Sequence, residues 1–112
     1  MASAANFAAF VYHELPEVNW AGFHLLTPSG DLLLGPFAGR PACARLPAGR
    51  GVCGAASRSE IVVPLVVSGT MVGVFDCDSP RIARFSREDH EGLERLVRAF
   101  SEAVGPPLMP AR

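Results

Sequence analysis

Residues 59–68, SEIVVPLVVS, and 70–79, TMVGVFDCDS, restrict what this chain can become more than any other stretch. The first is strongly β-branched, and the second resumes the pattern after Gly69. Together they predict a hairpin turning at Ser68 and Gly69. A second hairpin is predicted upstream, with VNWAGFHLL (18–26) as one strand, SGD (29–31) as the turn, and LLLGPF (32–37) returning antiparallel. Helical patterns flank the two hairpins. In residues 3–15, Phe7, Phe10, Val11 and Leu15 follow helical spacing behind Ser3 as N-cap, and Pro16 stops the element. Toward the C-terminus, Ser86 and Asp89 form a capping-box-like start. Leu93, Leu96, Val97, Phe100 and Val104 make an apolar stripe, with Gly105 at the C′ position and a loose tail over 107–112. Each helix has one apolar face to bury, and one face of an antiparallel sheet is the natural partner. The expected class is α+β, in two layers.

A chain of 112 residues has room for one core, and no linker or repeat divides it, so a single domain over 1–112 is expected. The start, MASAANFAAF, lacks a basic leader region, and no apolar run is long enough to span a bilayer. These features predict a soluble cytoplasmic protein with no membrane partner. A formal charge of −1 without a basic cluster argues against nucleic acid.

The segment PACARLPAGRGVCGAAS (41–57) follows no strand pattern, and its one regular feature is a helical turn near 52–56. It carries Cys43 and Cys53, and Cys77 lies in the second hairpin. In a reducing compartment such thiols serve as core filler, metal ligands or redox groups. No CxxC spacing occurs and no His lies near, which argues against zinc, so no metal is expected.

The stretch VFDCDSP is unusual for a strand end. Alternation puts Asp76 and Asp78 on one face and Cys77 on the other. Glu60 opens the preceding strand and, through the turn, lies opposite that end. Three carboxylates at one sheet edge raise at least one pKa, which leaves a proton for general-acid work, or they hold an ammonium group. Asp78 with Ser79 and Pro80 also fits a plain turn, whereas Asp76 sits inside an apolar strand and does not. Trp20 and His24 share a face of the first strand, as core packing or as the wall of a small-molecule pocket, with His24 an acid/base candidate. His13 and His90 read as solvated helix positions.

Taken together, NWAGF, LLLGPFAGRPACARLPAGRGVCG, SEIVVPL and GVFDCDSPRIARFSREDHEGLE closely resemble the free methionine-(R)-sulfoxide reductases. These are single GAF-domain enzymes that act on the R-sulfoxide of free methionine. The resemblance covers roughly residues 15–97 and implies a GAF-like fold. It implies redox roles for Cys43 and Cys53, and binding and protonation of substrate by Glu60, Asp76 and Asp78. It also implies a pocket wall at Trp20, with His24 standing where the family usually has Tyr. No bound cofactor is implied, and thioredoxin is the external reductant that reopens the disulfide.

The resemblance has one break. Between GVCG and SEIVVPL the family carries a further helix, a strand and a loop with its attacking cysteine, whereas here GVCGAASRSEIVVPL runs straight through. Roughly two dozen residues are missing, more than ordinary loop variation. Cys77 takes the apolar position of DxDSP and does not replace that cysteine. Two readings therefore stay open, a reductase of free methionine sulfoxide and a non-catalytic GAF module that binds a small ligand or dimerises. Loss of the extra strand would leave residues 59–68 at a sheet edge. Homodimerisation or aggregation through that edge is expected, relieved by lysine at Val63 or Val66.

Overall fold

In a computed structural model, which describes residues 1–47 and 58–104, the chain forms α1 (Ala2–Glu14), β1 (Trp20–Leu26), β2 (Leu32–Gly39), β3 (Arg45–Leu46), β4 (Ser59–Val67), β5 (Thr70–Ser79) and α2 (Arg87–Val104). The strands make one antiparallel sheet in the order β3-β2-β1-β5-β4. The α+β class is as the sequence predicts. The two-residue strand β3 is an addition, since residues 41–57 show no strand pattern. Cys53, the helical turn at 52–56, Gly105 and the tail lie outside the described residues.

Alternation sorts the sheet into two faces. Ala21 and Phe23 of β1, Ile61, Val63 and Leu65 of β4, and Phe75 and Cys77 of β5 enter one core with Ala4, Ala8 and Val11 of α1 and Leu93 and Val97 of α2. Both helices therefore cover the same face, with α1 against β1 and β2 and α2 against β4. Phe7 joins the layers, its ring 5.2 Å from Phe75 and 4.7 Å from Phe100.

Local chemistry explains the boundaries. Leu15 takes extended geometry ahead of Pro16, which ends α1. The helix starts at Ala2 with Met1 as its cap and no side-chain capping bond, so Ser3 is helical rather than an N-cap. Its buried stripe is Ala4, Ala8 and Val11, which leaves Phe10 exposed. Small alanines let the helix approach the sheet closely, and Phe10 falls off that stripe. Ser86 and Asp89 do form a reciprocal box, since the Asp89 N–H donates to Ser86 Oγ (3.1 Å) and the Ser86 N–H to Asp89 Oδ2 (2.9 Å). On the α2 stripe Leu93 and Val97 are buried, while Leu96 is largely exposed at its margin.

The β4–β5 turn is Ser68-Gly69, both with positive φ (51° and 79°), as a two-residue type I′ loop requires. The β1–β2 pairing slips between Gly22 and His24, where Gly35 and Pro36 are accommodated as a bulge. The first strand begins at Trp20 rather than Val18. Among the described residues, no helix is long and apolar enough to cross a membrane.

Candidate functional site

The sheet face opposite the helices carries the polar residues. Register sets them side by side, with Glu60 facing Asp78 across β4–β5, Trp20 facing Asp78 across β1–β5, and Gly22 facing Asp76. Ligand oxygens of Glu60, Asp76 and Asp78 lie within 4.8 Å of one another. The sequence-predicted meeting of three carboxylates is therefore present in the structure. Cys77, paired in register with Ala21 and Ile61, faces the opposite way into the core.

Burial gives this cluster its chemistry. Asp76 is 2% exposed and Asp78 5%, whereas Glu60 is open to solvent. No donor group reaches either oxygen of Asp76 or Oδ1 of Asp78. Desolvation pushes the pKa of Asp76 strongly upward, and the charges of Asp78 and Glu60 push it further. Asp78 is raised by burial as well, while the neighbouring Asp76 carboxyl pulls it the other way.

An aromatic wall stands beside the cluster. The Trp20 ring stacks between His24 (5.5 Å, 21°) and Phe37 (5.4 Å, 15°). Its Nε1–H donates to the Arg40 carbonyl at 3.0 Å. His24 is buried, and desolvation lowers its pKa, so its ring is neutral at pH 7. The Trp20–His24 pair is packed, as the core reading expects, and Trp20 also lies opposite Asp78 in register.

Two participants escape sequence reasoning. Gly22 lies under the indole, where a Cβ would sit 2.3 Å from Phe37 Cβ, 2.9 Å from Phe37 Cα and 2.8 Å from Trp20 Cη2. Because Gly22 pairs with Asp76, the indole that crosses it also helps to dry Asp76. The Gly between Trp and Phe in NWAGF was the available signal. Gly22→Ala must push against backbone, so a loss of about 1–3 kcal/mol is expected. It would be read as a fall in the thermal midpoint together with a change in Trp20 fluorescence.

Asn19 is the other, its Oδ1 buried without a donor and its backbone N–H donating to the Asp78 carbonyl at 3.0 Å.

Cys43 is half-buried and disulfide-bonded, while Cys77 is a free, buried thiol. The chain is fastened on both sides of Cys43, at Arg40 by Trp20 and at Ala44, whose carbonyl accepts the Leu34 N–H at 2.8 Å. β3, which follows at once, is three strands from β5 in the sheet order. Burial and the neighbouring aspartates push the Cys77 thiol up to about 12, so it carries almost no thiolate at neutral pH.

No protein-family model matches the chain. It is 44% identical to the free methionine-R-sulfoxide reductase of Escherichia coli, over 93% of this chain and 77% of that one. That alignment spans 128 positions, more than the 112 residues present, so the relative carries residues that this chain lacks. The fold superposes with a TM-score of 0.83 on a GAF sensor protein from Burkholderia vietnamiensis, 49% identical over 90% of this chain and 74% of that one. It does so equally, at 0.83, on the Neisseria meningitidis free methionine-R-sulfoxide reductase solved with its substrate, 34% identical over 90% of this chain and 75% of that one. With the GAF fold, the acidic cluster and this degree of identity together, the chain belongs to the free methionine-R-sulfoxide reductase family.

Proposed function

We propose that this chain binds free methionine-(R)-sulfoxide at the Glu60–Asp76–Asp78 cluster and reduces it by thiol/disulfide chemistry in the cytoplasm. The observation that carries the reading is a buried Asp76, its carboxyl pushed toward the neutral form by burial, held beside two further carboxyls and an aromatic wall. The ligand's ammonium suits the carboxylates, its methyl-bearing end suits the Trp20 surface, and the Asp76 proton suits the departing sulfoxide oxygen. A thiolate attacks the sulfoxide sulfur, the oxygen is transferred with a proton, and methionine leaves behind a cysteine sulfenic acid. A second thiol displaces water to give the disulfide, which a dithiol protein of the thioredoxin type reduces. Cys43 and Cys53 are the proposed pair. Cys43 is disulfide-bonded, and Cys77 is too buried and too weak an acid to serve.

A second reading is a non-catalytic GAF module that binds the same ligand class. It is favoured by the residues that the E. coli relative has and this chain lacks. A coupled assay with free methionine-(R)-sulfoxide, thioredoxin and thioredoxin reductase separates the two. Turnover abolished by Cys43→Ser or Cys53→Ser supports the enzyme, and ligand-induced stabilisation without turnover supports the module. Under either reading, Asp76→Asn and Glu60→Gln should each weaken ligand binding by about 1.5–3 kcal/mol, the worth of a charged hydrogen bond. Unchanged affinity in both variants would remove the cluster from the binding site.

A further inference from the structure

We propose that Arg84 is a positioning residue for the Glu60–Asp76–Asp78 site, a role that rests on the function proposed for that site. It clamps together the connection leading into Trp20 and the one leading out of Asp78. The register makes such a clamp necessary. Trp20–Asp78 is the end pair of the β1–β5 ladder, and Glu60–Asp78 is the last but one of β4–β5. Strand ends fray first, so side chains placed there keep a fixed geometry only where the chain beyond the ladder is held.

The two connections, residues 15–19 and 80–86, are fastened at both ends. Next to the sheet, the Asn19 N–H donates to the Asp78 carbonyl at 3.0 Å. At the far end, Arg84 Nε–H donates to the Pro16 carbonyl and Nη1–H to Asp89 Oδ2, each at 3.0 Å. Arg84 Nε also lies 3.7 Å from Glu17 Oε1, the oxygen that accepts from Arg81. The Arg84 side chain is 12% exposed against 61% for Arg81, so its bonds are made largely out of water and are the stronger ones. A planar guanidinium spreads its donors widely enough to meet a backbone carbonyl on one connection and a carboxylate at the start of α2. Asp89 Oδ2 also accepts the Ser86 N–H, which anchors the clamp on the helix cap.

Backbone conformation points the same way. Glu17 and Ala83, one on each connection, have positive φ of 63° and 53° without being glycine. Glu17 follows Pro16 and Ala83 precedes Arg84, so both outliers adjoin the clamp. Left-handed geometry at such residues persists where the surroundings over-determine it, and it gathers at functional sites. The stretch between Asp78 and Arg84 is itself tied down. The Arg81 N–H donates to Ser79 Oγ at 3.1 Å, and Ser59 Oγ of β4 donates to the Arg81 carbonyl at 2.7 Å. A hold at Arg84 is therefore passed to the ends of β4 and β5, where Glu60 and Asp78 stand.

Arg84→Lys keeps the charge but offers one point donor for two separated acceptors, and Arg84→Ala removes both bonds. Trp20 is the one tryptophan of the chain, so acrylamide quenching reports on the site with no ligand added. Quenching should rise in both variants, with far-UV circular dichroism unchanged in Arg84→Lys. Calorimetric titration with free methionine-(R)-sulfoxide should show affinity lower by at least about tenfold in Arg84→Ala, with Arg84→Lys between it and the native chain. Val97→Ala, a core change on α2 away from the clamp, should lower the thermal midpoint while affinity stays within about twofold, which separates positioning from stability. If Arg84→Ala does not fold, Arg84→Lys decides. Native-like quenching in Arg84→Lys would overturn the proposal, as would its unchanged affinity or an equal loss of affinity in Val97→Ala. Absence of sulfoxide binding by the native chain would overturn the proposed function instead, and the quenching comparison would then decide the role of Arg84.

Discussion

Asp76→Asn should stabilise the protein at neutral pH by about 1–3 kcal/mol, even as it removes the acid that the proposed chemistry needs. Asp76 titrates at an ordinary 3.8 when unfolded and far higher in the fold, chiefly because burial disfavours its charge. Across that window the folded chain holds a proton that the unfolded chain has already lost. Stability contributed by this group is therefore full below about pH 3.8 and falls as pH rises toward the folded value. An Asn amide can donate to Asp78 and Glu60 without taking up a proton, so the variant escapes the decline. His24, lowered by burial, and Asp89, lowered mainly by the Ser86 N–H, both have the opposite slope. They are common to both proteins and cancel in the difference. Denaturant unfolding of both chains from about pH 4 to pH 8 should show the advantage of the variant growing with pH. A variant less stable at neutral pH, or a difference flat with pH, would show that Asp76 is not a buried acid carrying its own proton.

Under the proposed function, this cost is the counterpart of the acid role given to Asp76. A group that lowers stability at working pH persists where chemistry needs it, and the stability is regained in the apolar core beneath. The carboxylate meeting was legible in sequence because it follows from period-two alternation and one two-residue turn, which together fix which side chains share a face. Cys77's inward position follows from the same rule. What could not be read was anything set by packing between strands distant in sequence. The Trp20 indole lies across Gly22 and stacks on Phe37 of β2, and Phe10 is exposed because close helix–sheet approach favours Ala4 and Ala8. Propensity is silent on both. The burial of Asp76 likewise depends on its neighbours across two strands, Gly22 on β1 and Val62 on β4.

Val66→Lys should shift the chain from self-association to monomer. β4 ends the sheet order, so among the described residues one side of its nine-residue backbone ladder has no strand partner. Its face away from the helices shows Val62 at 43% exposure and Val66 at 44%, with Met71 of β5 beside them at 45%. Such an edge, β-branched and uncharged after Glu60, is a template for pairing with a second copy. Pro64, near its middle, removes one donor and blunts the edge only there. The E. coli relative carries residues that this chain lacks, which removes material that could otherwise cover such an edge. The register also corrects which residues can be charged. Val63 is buried at 3% against the helices, so lysine there would break the core, while Val62 and Val66 point to solvent. Analytical ultracentrifugation should find the native chain dimeric or aggregating and Val66→Lys monomeric, with the same far-UV circular dichroism. A lysine on the exposed face costs no core contact, so its effect belongs to the edge alone. A native chain that stays monomeric at the highest attainable concentration would show that this edge is covered from within the chain.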